Sequence, residues 1–133
     1  MHPDRVLGKR ILLADDQQGV RTAIKFLLQM DEHKVTEATN GREALDLFRQ
    51  QKFDLVITDY AMPEMAGSEL ASRIKEEAPR QPIIMITAYT RQIRDSDNPV
   101  DVVLNKPFSY LDLRQIIAKL LVDSPGTKIQ PTT

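Results

Sequence analysis

No cysteine occurs among the 133 residues. This excludes disulfides, thiol nucleophiles and thiolate metal sites, and it sits comfortably with a reducing cytosol. Histidine is scarce. His2 and His33 stand far apart in the chain, so neither a histidine metal site nor a histidine-based triad is expected. Neither sign of charge dominates: 18 Lys and Arg against 19 Asp and Glu leave a formal net charge of −1. Nothing in that balance draws the chain electrostatically to nucleic acid or to an anionic membrane. Long apolar runs are missing too. The longest, such as Ile11 to Ala14, are far too short for a bilayer span. Met1 to Arg10 has mixed charge and no apolar signal-peptide core. No internal repeat is evident.

The composition that remains, 41% hydrophobic and 28% charged, suits one globular domain with one core. Short β-rich runs alternate with helical periodicity. Arg10 to Ala14 is a continuous apolar run ending at Asp15 and Asp16, which predicts a strand buried on both faces. Val20, Ala23, Ile24, Leu27 and Leu28 then recur at helical spacing. Lys34 to Thr39 reads as a weaker strand, Asn40-Gly41 as a turn before a second helix carrying Ala44, Leu45, Leu47 and Phe48. Phe53 to Thr58 is the third strand, ending at Asp59. A third helix carries Leu70, Ala71 and Ile74 and stops near Pro79. Pro82 to Ile86 is the fourth strand, ending at Thr87; Val100 to Leu104 is the fifth, ending before Asn105 and Lys106. The last helix carries Leu111, Leu113, Ile116, Ile117, Leu120 and Leu121. This pattern predicts an α/β fold: a flavodoxin-like, doubly wound, five-stranded parallel sheet of order 2-1-3-4-5 with about five helices on both faces. Residues 1–8 read as an N-terminal extension, 9–122 as the domain, and the polar, breaker-rich 123–133 as a tail or linker stub.

Parallel strands present their C-terminal ends at one edge, and sites in open α/β sheets form just outside those ends. Four strands here end in residues suited to phosphoryl chemistry: Asp15 and Asp16, Asp59, Thr87, and Lys106. Three crowded carboxylates repel one another and favour a hard cation such as Mg²⁺. A carboxylate attacks phosphorus to give an acyl phosphate. The charge on a transferring phosphoryl group would be stabilised by the cation, by the Lys106 ammonium and by the Thr87 hydroxyl.

Five segments then carry a resemblance: Ile11 to Asp16, Thr39 to Leu45, Asp54 to Gly67, Ile84 to Ala88, and Asn105-Lys106-Pro107-Phe108. In this order and spacing the chain resembles a two-component response-regulator receiver domain of the CheY-like family. The resemblance implies that Asp59 accepts a phosphoryl group from a sensor histidine kinase or histidine phosphotransfer protein. It implies that Asp16 binds Mg²⁺ directly, that Asp15 helps through water, and that Asp59 and the backbone carbonyl of Ala61 complete the protein ligands. Thr87 would report the phosphate and Lys106 would pair with it, beside a cis Lys106–Pro107 bond. Such a domain is a phosphoacceptor that promotes its own phosphorylation and dephosphorylation rather than an enzyme turning over an external substrate. It is cytoplasmic, signals to a downstream effector, touches neither nucleic acid nor membrane itself, and in some cases dimerises on phosphorylation.

The chain departs from the family pattern at three places. Val103 stands where Tyr or Phe is usual three residues before the lysine, with Tyr89 and Tyr110 as candidates to take its part. The polar stretch from Tyr89 to Pro99 is short for a full helix. Ala66 replaces the frequent Asp or Asn before the glycine. Other readings stay open. Asp15 and Asp16 would also serve to cap the first helix. A haloacid-dehalogenase-like phosphatase needs a second acid two residues after its nucleophile, where Ala61 stands, and a cap insertion for which there is no room. A flavodoxin-type cofactor binder needs a phosphate-cradling loop where Asp15 and Asp16 would repel an anion. The main alternative is a receiver-like interaction module that signals without phosphorylation.

Overall fold

The apolar runs become the strands of one sheet in the computed structural model, which describes residues 6–88 and 99–122. The strands are β1 (Arg10–Ala14), β2 (Lys34–Ala38), β3 (Leu55–Asp59), β4 (Ile83–Thr87) and β5 (Val102–Asn105). Among the described residues there are four helices: α1 (Gln18–Gln29), α2 (Gly41–Gln50), α3 (Gly67–Glu77) and α4 (Tyr110–Val122). The sheet order is β2-β1-β3-β4-β5 and every pair is parallel, as the alternation of elements requires. The stretch at residues 89–98 and the tail from residue 123 lie outside the described residues, so the expected extra helix there is not assessed.

β1, β3 and β4 are buried on both faces because their residues feed two cores. Along β1, Ile11 and Leu13 meet Ile24 and Leu28 of α1 and Leu113 and Ile117 of α4. The intervening Leu12 and Ala14 meet Leu45 of α2 and Leu70 and Ile74 of α3. The period-two alternation of a strand thus splits one apolar run between two layers. Val6 also packs into the first core. Among the described residues no helix is long and apolar enough to cross a membrane.

Strand boundaries shift from the sequence reading by one residue at several places, and by two at the starts of β5 and β3. β5 begins at Val102 rather than Val100. The Asp101 carboxylate accepts from the Ile83 amide at 2.8 Å and from Lys75 Nζ at 2.9 Å, closing the end of the β4–β5 ladder. β3 begins at Leu55 rather than Phe53, while the Asp54 carboxylate accepts from the Arg10 amide at 2.8 Å. Both shifts come from an acid binding a neighbouring strand's N–H, a long-range contact that periodicity does not carry.

Candidate functional site

β1 and β3 lie side by side at the centre of the sheet, so the acids at their C-terminal ends are neighbours. Among the described residues, one carboxylate oxygen from each of Asp15, Asp16 and Asp59 lies within 4.8 Å of the other two. Asp15 and Asp59 are buried and Asp16 is exposed. Burial is the largest cause pushing the Asp15 carboxyl above the ordinary range. The charges of Asp59 and Asp16 push the same way, against the Gln17 amide and the Lys106 ammonium. Asp15 does not cap α1. Its Oδ1 accepts from the Gln17 amide at 2.9 Å, one residue before the helix, and the N-cap residue Gln17 makes no side-chain cap bond.

Lys106 follows β5. Its Nζ donates to Asp59 Oδ1 at 3.1 Å, across 47 residues of chain. The Lys106 amide donates to the Thr87 carbonyl at 2.9 Å, which ties the end of β5 to the end of β4. The Lys106–Pro107 bond is cis, as expected. Thr87 is buried at the last position of β4, paired in register with Asn105. Asp16, Gln17, Asp59, Ala61, Thr87, Ala88 and Lys106 line a single cleft of about 350 Å³. All six residues named from the sequence therefore meet at one sheet edge. A larger hollow of about 440 Å³, lined by Gly8, Arg10, Lys34, Thr36 and Gln51, starts from the opposite ends of β1 and β2. No carboxylate lines it, so chemistry and not size selects the smaller cleft.

The loop after β3 folds back tightly on the site. The Gly67 amide donates to the Tyr60 carbonyl at 2.8 Å, and a Cβ at Gly67 would run into the Asp59 carbonyl oxygen. A Cβ at Gly41 would strike the Met65 carbonyl in the same loop. Glycine at these two positions lets backbone approach backbone. Between them, Glu64 sits in the left-handed region at φ 68°.

The donor set suits a hard divalent cation: three carboxylates converge at a cleft that Ala61 also lines. Tyr110, a candidate to replace the missing aromatic at Val103, is engaged elsewhere. Its hydroxyl donates to Asp31 at 2.8 Å and Arg114 stacks on its ring. Tyr89 is outside the described residues. Val103 itself is half-buried on β5, opposite Met85. Sequence reading overlooked Gln17, whose amide holds Asp15, and Arg21, whose guanidinium reaches the Asp15 carbonyl at 2.8 Å. A cation six positions beyond the first acid, on a helix that starts at the same strand end, was the available signal.

Comparison with known proteins agrees with this geometry. The family model for the response regulator receiver domain matches residues 11–118. The response regulator receiver protein CpdR of Brucella abortus is 40% identical over 117 residues, covering 86% of this chain and 98% of that one. The transcriptional regulatory protein SrrA of Staphylococcus aureus is 28% identical over 127 residues, 93% of this chain but only 52% of that protein. In structure, the Thermotoga maritima response regulator TrrA, solved in complex with Mg²⁺-BeF, superposes with a TM-score of 0.81 at 36% identity, covering 85% of this chain and 99% of that one.

Proposed function

The chain belongs to the response regulator receiver domain family, and from that premise we propose that Asp59 is the phosphoacceptor, served by Thr87 and Lys106. The observation that carries the assignment is the convergence of Asp59 with Asp15, Asp16 and Lys106 from three separate strand ends in one cleft. The donor is a histidine kinase or a histidine phosphotransfer protein. A carboxylate oxygen of Asp59 attacks phosphorus, the bond from phosphorus to the donor's imidazole nitrogen breaks, and an acyl phosphate forms. Lys106, already 3.1 Å from that carboxylate, follows the new negative charge onto the phosphoryl oxygens. Thr87 lines the same cleft and offers its hydroxyl to them. Asp15, Asp16, Asp59 and the Ala61 carbonyl would hold Mg²⁺, which when bound neutralises the acids and offsets charge on the transferring group.

The functional unit is taken as residues 9–122. It promotes its own phosphorylation and dephosphorylation, in the cytoplasm, and is not a turnover enzyme on an external substrate. The new charge biases a two-state equilibrium of the loops around the cleft. The face carried by β5 and α4 then changes its preference for a downstream effector or a second copy. The chain spans about half of SrrA, so that relative's transcriptional regulatory role is not transferred to it.

Intact mass after incubation with acetyl phosphate, with and without Mg²⁺, tests the assignment. The wild type should gain one phosphoryl group only with Mg²⁺, and Asp59→Asn should gain none. Uptake by Asp59→Asn would refute Asp59 as acceptor. No uptake by the wild type from either acetyl phosphate or a phosphohistidine donor would overturn the phosphoacceptor reading and make the non-phosphorylated interaction module the leading alternative.

A further inference from the structure

The acidic cluster works only if its backbone is held still, because Asp16 has no side-chain hydrogen bond or ion pair among the described residues. Its position depends on the peptide that carries it. That peptide is anchored on both sides of Asp15. The Asp15 amide donates to the Ala38 carbonyl at 3.0 Å. The Asp15 carbonyl accepts from Arg21 Nη1 at 2.8 Å. Arg21 is in the first turn of α1, and its side chain is only 12% exposed. Its Nε donates at 3.0 Å to Glu37 Oε1 on β2, one residue before Ala38. The second oxygen of Glu37 accepts from Lys25 Nζ at 2.8 Å. The guanidinium therefore spans strand and loop with two different nitrogens, a bridge that the single nitrogen of lysine does not reproduce.

We infer that Arg21, braced by Glu37, is a positioning residue: it sets the Asp15–Asp16 peptide so that the metal-binding carboxylates converge on Asp59. This rests on the proposal that these acids hold Mg²⁺. It differs in sign from a pure charge effect. A cation beside a cation site repels the ion, so removing Arg21 for its charge alone would tighten Mg²⁺ binding. Losing a positioning group that orients metal ligands weakens binding instead, on the order of tenfold or more.

The test is calorimetric titration of Mg²⁺ into the full chain, paired with urea unfolding in the absence of metal. Arg21→Lys and Arg21→Met should each weaken Mg²⁺ about tenfold, with Glu37→Gln changing in the same direction by less. Arg114→Met, which cuts a pair remote from the acidic loop, should lower stability yet leave Mg²⁺ affinity unchanged. Should Arg21→Met not fold, Arg21→Lys, which keeps the charge but not the two-nitrogen bridge, decides the matter. Equal or tighter binding in the folded Arg21 variants would overturn the positioning role. So would a matching loss in Arg114→Met, since the effect would then be general destabilisation. A separate arm guards the underlying site: if Asp16→Asn binds Mg²⁺ as well as wild type, or wild type does not bind it, the metal assignment falls and the inference falls with it.

Discussion

His33 shows how one buried side chain makes the molecule respond to pH. It is 4% exposed, and its Nδ1 accepts from the Lys9 amide at 2.9 Å, a bond only the neutral form makes at that nitrogen. Burial is the main cause lowering its pKa. The Lys9 charge acts the same way, while Asp31 and Asp54 oppose it. The folded state thus favours neutral imidazole, whereas the unfolded chain takes up a proton near pH 6.5. Stability from His33 is complete above that pH and is lost as pH falls through the lowered folded value. Urea unfolding between pH 7 and pH 5 should show wild-type stability declining more steeply than that of His33→Gln. Parallel slopes would assign the decline to other groups.

At the scale of the element, α2 and α3 differ in how they begin. Asn40 Oδ1 accepts from the Glu43 amide at 2.8 Å, and Glu43 Oε1 accepts from the Thr39 amide at 2.7 Å. This is a reciprocal capping arrangement. The N-cap of α3, Ala66, has the extended backbone of a cap residue (φ −67°, ψ 160°) but no side-chain bond. The departure from the family pattern at Ala66 therefore leaves a helix start uncapped. Ala66→Ser should stabilise the fold by about 1 kcal/mol, measured by urea unfolding. No gain would mean that the loop fails to present the α3 amides to a serine oxygen.

Across the whole molecule, the end of α1 is tied to the last helix. Asp31, with 1% exposure, accepts from Arg114 Nε at 2.9 Å, from Arg114 Nη2 at 3.1 Å and from the Tyr110 hydroxyl at 2.8 Å. Burial, then the bond to Asp31, drives the Tyr110 phenol up to about 12, so it stays a neutral donor at any working pH. These contacts join residues 79 and 83 positions apart. Removing one partner of a buried ion pair is expensive, but Arg114 keeps partial access to water and can resolvate. Asp31→Ala should therefore cost about 2–3 kcal/mol in urea unfolding. A change within about 0.5 kcal/mol, the usual range for ordinary surface substitutions, would show that the pair contributes little net stability.

The strands, their parallel arrangement and the residues at their ends were legible in the chain because each depends on local pattern. Apolar runs such as Ile11 to Ala14 and Ile83 to Ile86 require burial on both faces, and that burial requires helices on each side. Once the strands are parallel, Asp15, Asp16, Asp59, Thr87 and Lys106 must share one edge. Only the tertiary structure decided which groups hold that edge in shape. Arg21 on the Asp15 carbonyl, Asp101 on the Ile83 amide, and Arg114 and Tyr110 on Asp31 are hydrogen bonds made by polar side chains to distant partners. Hydrophobic periodicity reports which face is buried. A hydrogen bond between distant residues leaves no periodic trace, because its partners become neighbours only after the sheet and helices have packed.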